Sequence, residues 1–96
     1  MLDINGSVAV ITGGSGGIGK ALAQYWIKQG GKVVIADIDE KALALAKEEL
    51  GEDASTFVCN VTQEADNAAL AAYAIEQYGQ INLVAPFAGI IKDAMM

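Results

Sequence analysis

Apolar runs alternate with helix-period segments from one end of the chain to the other. Four runs, Ser7 to Thr12 (SVAVIT), Lys32 to Ala36 (KVVIA), Ser55 to Cys59 (STFVC) and Ile81 to Ala85 (INLVA), are short, apolar and mostly β-branched. Such runs fit parallel strands buried on both faces. Between the first two, Ile18, Ala21, Leu22 and Tyr25 recur at i, i+3, i+4 and i+7, predicting an amphipathic helix that ends at Gly30-Gly31. A second helix is predicted after Asp39 as N-cap, running to Gly51 with Leu43, Ala46 and Leu50 on its inner face. A third starts after Thr62 and stops at Gly79, with Ala71, Ala74, Ile75 and Tyr78 as its apolar stripe. Glu64 and Asp66 near its start favour the positive end of the helix dipole.

The order is βαβαβαβ, with no Pro/Ser-rich or low-complexity linker, so residues 1–96 read as one domain. Right-handed crossovers place the strands in one parallel sheet of order 3-2-1-4 with helices on both faces, an α/β, Rossmann-like arrangement. With 96 residues, one small domain is expected and a second is not.

Composition narrows the chemistry. Six lysines and no arginine stand against 12 acidic residues, and the net charge of −6 argues against nucleic acid as a partner. The absence of histidine excludes Ser-His-Asp and Cys-His nucleophile systems and histidine metal sites. One cysteine excludes an internal disulfide and a Cys-cluster zinc site; Cys59 reads as a small buried hydrophobe, compatible with a reducing cytoplasm. The opening Met1-Leu2-Asp3-Ile4-Asn5 lacks the basic region and apolar run of a signal peptide. No apolar stretch approaches the roughly 18 residues that span a bilayer, so no membrane is expected.

The sharpest local feature is Thr12-Gly13-Gly14-Ser15-Gly16-Gly17-Ile18-Gly19, where the first strand ends and the first helix begins. A phosphate bound there needs backbone N–H donors and the positive helix end, and a Cβ in the tight turn would hold the ligand away. The stretch fits both G-x-G-x-x-G (Gly14, Gly16, Gly19) and T-G-x-x-x-G-x-G (Thr12, Gly13, Gly17, Gly19). The alternative is a glycine-rich turn that binds nothing.

Asp37 closes the second strand, eighteen residues past Gly19, where a carboxylate can accept from both hydroxyls of an adenosine ribose. The alternative is helix capping, a role for which Asp39 is better placed. Like unit charges about 4 Å apart repel by about 4 kcal/mol at an effective dielectric near ~20, so Asp37 disfavours a 2′-phosphate unless a cation offsets it. With no arginine, with Ser15 beside the ribose, and with only Lys20 and Lys32 as possible neighbours, NAD is expected over NADP.

These segments together resemble the amino-terminal part of a short-chain dehydrogenase/reductase. N-G-S-V-A-V-I-T-G-G-S-G-G-I-G-K-A-L-A (Asn5 to Ala23) is similar to that family's first strand, cofactor loop and helix. V-V-I-A-D-I-D (Val33 to Asp39) resembles its second strand with the NAD-selecting acid, and Cys59-Asn60-Val61-Thr62 its adenine-contacting C-D-V-T or N-V-T segment. The resemblance implies cofactor contacts at Gly13, Ser15, Gly16, Gly17, Ile18 and Gly19, at Asp37 and Ile38, at Asn60 and Val61, and at Ala88 and Gly89. Asn60 stands where many members carry Asp, yet its amide oxygen can accept from the adenine amino group.

The fourth run, I-N-L-V-A-P-F-A-G-I (Ile81 to Ile90), resembles D-I-L-V-N-N-A-G-I, with Pro86 and Phe87 replacing the paired asparagines. Proline in a strand belongs at an edge, an end or a bulge. Members of the family are usually more than twice as long, and the resemblance implies that the catalytic Ser, Tyr and Lys follow later. Tyr25, Tyr73 and Tyr78 are followed four residues on by Gln29, Gln77 and Asn82, so none forms Tyr-x-x-x-Lys.

The leading expectation is thus the NAD(H)-binding portion of a short-chain oxidoreductase, truncated relative to the family, without catalytic residues and inactive alone. A second reading is a non-catalytic nucleotide-binding or scaffold module, to which Pro86-Phe87 would belong. A third is an S-adenosylmethionine methyltransferase core, against which Thr12 stands where that class usually carries an acid. Self-association through the open edge of the fourth strand is expected if its apolar neighbourhood stays exposed.

Overall fold

A computed structural model of the protein describes residues 4–13, 17–60 and 63–86. Seven elements follow one another: β1 (Val8–Thr12), α1 (Gly17–Lys28), β2 (Lys32–Asp37), α2 (Glu40–Leu50), β3 (Ala54–Val58), α3 (Glu64–Tyr78) and β4 (Leu83–Pro86). The strands form one parallel sheet in the order β3-β2-β1-β4, the expected topology.

Alternation along the central strands divides the core in two. Ala9, Ile11, Val33 and Ile35 pack with Ala23 and Trp26 of α1 and Leu43 and Ala46 of α2. Val10, Val34 and Ala36 point the other way, toward Cys59 and toward Leu70 and Ala74 of α3. Both faces of β1 and β2 are therefore apolar, which is why these segments read as continuous runs.

α2 has the predicted ends. The Asp39 carboxylate accepts the Ala42 N–H at 3.1 Å, and Gly51, at φ 85°, donates its N–H to the Lys47 carbonyl at 2.9 Å. Leu43 and Ala46 are buried and Leu50 packs against the same core.

The faces of α1 and α3 differ from expectation. In α1 the buried residues are Gly19, Ala23 and Trp26, while Ile18 is 59% and Tyr25 54% exposed. The true stripe lies one residue along from the predicted one and shares Leu22 with it. The Trp26 indole sets the rotation: it is buried, and its Nε1–H donates to the Ser7 carbonyl at 3.3 Å. In α3, Leu70 and Ala74 are buried, but Ala71 is exposed and Ile75 is 48% exposed. Here the tyrosines fix the rotation, Tyr73 against Phe57 with ring centroids 5.0 Å apart and the Tyr78 hydroxyl 2.8 Å from Ser55 Oγ.

β3 begins one residue earlier than predicted. β4 begins two later, at Leu83, because Asn82 already satisfies β1 without strand geometry. Its N–H donates to the Val8 carbonyl and its side-chain oxygen accepts the Val8 N–H, both at 2.8 Å. Pro86 is the last residue of β4, in register with Thr12. β4 lies at the end of the sheet, where a residue without an N–H is tolerated.

At the opposite end of the strands, Lys32 and Asp53 form an ion pair that raises the Lys32 ammonium above its ordinary value, Asp53 being both hydrogen-bond partner and opposite charge. Nearby, Gly31 leaves no room for a side chain: a Cβ would be driven into the Trp26 indole and would come within 3.1 Å of Ile4 Cγ2. The indole is held by its bond to Ser7 and cannot yield cheaply. Gly31→Ala is therefore expected to destabilise the fold by about 1–3 kcal/mol, read as a lower midpoint in urea unfolding.

Candidate functional site

Parallel strands deliver their carboxyl ends to one edge of the sheet, so the turns after β1, β2 and β3 converge there. Thr12 is buried at the end of β1. Gly13 follows at φ 73°, a conformation that favours glycine, and donates its N–H to the Ala36 carbonyl at 2.7 Å. That bond sets the start of the β1–α1 turn beside Asp37, the next residue on β2.

Gly17 is the first residue of α1. Its φ is not positive, and an added Cβ would meet nothing within 4 Å, so no described contact of the chain requires glycine there. Gly19 differs, being buried together with Ala23 and Trp26 of the same helix. Ile18 and Ile38, the latter 66% exposed, present apolar side chains to solvent at this edge. α1 carries no acid in its first turn, whereas α2 carries Glu40 and α3 carries Glu64 and Asp66.

Asp37 and Asp39 divide two tasks. Asp39 caps α2, while Asp37 Oδ1 accepts the Asp39 N–H at 3.2 Å, which orients the Asp37 carboxylate at the mouth of the turn. The two lysines considered as partners for a phosphate are engaged elsewhere. Lys20 Nζ lies 2.7 Å from Glu49 Oε2 on α2, and Lys32 is paired with Asp53 at the far end of β2.

After β3, the Cys59 N–H donates to the Asp37 carbonyl at 2.9 Å and ties the third turn to the second. The Cys59 side chain is buried, and this burial pushes its thiol above the ordinary value, with the Asp66 carboxylate adding to the shift. Its burial is that of the small hydrophobe the sequence implied. Asn60 comes next, half-buried, its N–H accepted by Asp66 Oδ2 at 2.9 Å. Sequence reasoning assigned Asp66 only to the helix dipole; the overlooked signal is an acid in the first helical turn, six residues after the candidate contact.

The structure thus brings Gly13, Gly17, Ile18, Asp37, Ile38 and Asn60 to the loop-bearing ends of adjacent elements, with Gly19 beneath them in α1. Ser15, Gly16, Val61, Ala88 and Gly89 lie outside the described residues, as do Phe87 and the residues after it. Tyr73 and Tyr78 serve packing on α3, and Tyr25 faces solvent. Among the described residues no cluster of His, Cys, Asp and Glu could hold a metal ion, and no helix is long and apolar enough to cross a membrane. The arrangement suits binding of an anionic, hydroxyl-bearing ligand.

Known proteins resemble this chain in sequence and in fold. A family profile described as short chain dehydrogenase matches residues 7–96. Momilactone A synthase of Oryza sativa subsp. japonica is 44% identical over 86 residues, covering 88% of this chain and 31% of the relative. Borneol dehydrogenase, mitochondrial, of Lavandula x intermedia is 45% identical over 89 residues, or 91% and 33% of the two chains. The crystal structure of a short chain dehydrogenase/reductase from Burkholderia phymatum in complex with NAD superposes with a TM-score of 0.84 at 38% identity, covering 88% of this chain and 31% of that one. The 3-ketoacyl-(acyl-carrier-protein) reductase from Brucella melitensis, complexed with NADH, gives 0.81 at 32% identity, covering 84% and 33%. The chain spans about a third of the length of these relatives.

The division between the two acids is measurable without a ligand. Asp39→Ala removes the α2 cap and is expected to cost about 1 kcal/mol of stability in chemical unfolding. Asp37→Ala, which leaves that cap in place, is expected to cost less.

Proposed function

The chain belongs to the short-chain dehydrogenase family, and we propose that its 96 residues bind the adenosine end of NAD(H) for an oxidoreductase of that family. The observation that carries this reading is Gly17, a glycine at the start of α1 that no described contact and no backbone strain requires. A side chain there would stand at the helix N-terminus, where a pyrophosphate takes backbone N–H donors.

NAD supplies a hydride acceptor, and NADH a donor, when bound. The chain's own residues bind and orient. Gly13 and Gly17 leave the turn open to a phosphate, and α1 directs the positive end of its dipole there with no acid of its own to neutralise it. Asp37, oriented by the Asp39 N–H, accepts from the ribose hydroxyls. Ile38 offers an apolar wall, and Asn60 accepts from the adenine amino group. Ser15, Gly16, Val61, Ala88 and Gly89 belong to the same proposal on the strength of the sequence.

The preference for NAD over NADP follows from charge. A 2′-phosphate would sit against the Asp37 carboxylate, while Lys20 and Lys32 are committed to Glu49 and Asp53. No Tyr-x-x-x-Lys pair lies within these residues, so the 96 residues alone do not turn over an alcohol or carbonyl. Pro86 and Phe87, in place of the family's paired asparagines, favour as second reading a module that binds the nucleotide without catalysis. A cytoplasmic setting, in keeping with the free thiol of Cys59, belongs to the same proposal.

Trp26 bonds to Ser7, before the start of β1 and away from the candidate site, so the reporter of choice is the fluorescence of NADH itself. Titration is expected to show NADH bound at least about tenfold more tightly than NADPH, with Asp37→Ala erasing most of that difference. Equal affinity for the two in the unmodified chain removes the Asp37 assignment. A second prediction concerns the outer edge of β4, which pairs with no strand among the described residues and leaves Val84 exposed. We propose that two copies associate there, and light scattering is expected to show dimer growing with concentration; a constant monomer mass rejects it.

A further inference from the structure

We propose that Asp66 is a positioning residue for the adenine end of this site, an inference that rests on the NAD(H) reading and adds to it a residue outside every motif. Asp66 lies in the first turn of α3, where an acid ordinarily serves the N–H groups of its own helix. It reaches instead across the preceding turn. Its Oδ2 accepts the Asn60 N–H at 2.9 Å, and its backbone carbonyl takes the Cys59 thiol hydrogen at 3.6 Å.

The Asn60 carbonyl is held from the same side, accepting the Gln63 N–H at 2.9 Å. Both backbone groups of Asn60 are thus fixed by the start of α3, which sets the direction in which its side chain leaves the turn. The Cys59 N–H is bound to the Asp37 carbonyl. A continuous path therefore runs from Asp37 on β2, through Cys59 and Asn60, to Asp66 on α3, and it holds the two proposed adenosine contacts in fixed relation. Gln63, the N-cap residue of α3, makes no side-chain cap bond, so the helix start is joined to the turn by the Gln63 backbone N–H and by the Asp66 carboxylate.

A charged acceptor lost from a buried or half-buried N–H frees that peptide to turn toward water. The consequence falls on ligands that carry adenine and spares those that do not. The test measures calorimetric binding of NADH, AMP and reduced nicotinamide mononucleotide, together with amide hydrogen exchange at Asn60, for the full chain and its Asp66→Ala and Asp66→Asn variants. Asp66→Ala is expected to weaken NADH and AMP about tenfold, to change the mononucleotide by less than about twofold, and to speed exchange at Asn60. Asp66→Asn, whose amide oxygen can still accept, is expected to restore most of both effects.

Should Asp66→Ala fail to fold, Asp66→Glu carries the test, keeping the charge at the helix start while displacing the acceptor by one methylene; it is expected to weaken AMP in a folded chain. Unchanged exchange at Asn60, or equal weakening of all three ligands, overturns the positioning role while leaving the NAD(H) reading intact. Absence of NADH and AMP binding in the unmodified chain instead refutes the NAD(H) reading, and the role of Asp66 falls with it.

Discussion

β1 is buried along all five residues and hydrogen-bonded to a strand on each side, and from this confinement the arrangement at the carboxyl edge follows. A strand without a free face or edge is apolar up to its last residue, Thr12, and the chain first reaches solvent beyond it. The chain must then turn at once, which Gly13 does at positive φ. Because Thr12 is in register with Ala36, the Gly13 N–H finds the Ala36 carbonyl, and Asp37 stands beside the turn. Two groups far apart in sequence become neighbours through strand register.

How far this was legible depends on what each pattern encodes. The apolar runs and the glycine turn record strand burial and backbone conformation, which are local demands, so topology, the ends of α2 and the position of Asp37 could be read directly. Helix rotation is not local. In α1 two stripes one residue apart share Leu22, and only the seat of the Trp26 indole against Ser7 chooses between them. In α3 the choice falls to contacts made by Tyr73 and Tyr78 with β3. Asn82 evaded the pattern for another reason, since its side chain imitates the backbone pairing that defines a strand. Asp66 evaded it because an acid in a first helical turn reads as serving its own helix dipole, whereas its partner is the backbone N–H of Asn60, six residues earlier.

The two edges of the sheet carry different kinds of interaction. At the amino edge, Trp26 to Ser7, Asn82 to Val8, Gln80 to Gly6 and the Lys32–Asp53 pair close the fold around apolar packing. At the carboxyl edge, bonds run from backbone N–H to a backbone carbonyl or to an acid: Gly13 to Ala36, Asp39 to Asp37, Ala42 to Asp39, Cys59 to Asp37 and Asn60 to Asp66. This second set orients groups while burying little apolar surface. Substitutions at the two edges should therefore differ, those at the amino edge acting on unfolding and those at the carboxyl edge, the Asp39 cap apart, acting on ligand recognition.

The acids at the carboxyl edge also indicate where an anion can go. Three helices begin there, and each presents the positive end of its dipole. Asp39 and Glu40 occupy that position on α2, and Glu64 and Asp66 on α3, so an incoming phosphate would meet fixed negative charge at both. α1 begins with glycines and has no acid in its first turn. Phosphate is thereby directed to α1 by exclusion as well as by attraction, while the carboxylate of Asp37 at the adjoining strand end remains suited to hydroxyls and opposed to a second phosphate. The same distribution of charge that disfavours anions at two helices thus supports both the proposed site of the pyrophosphate and the proposed preference for an unphosphorylated ribose.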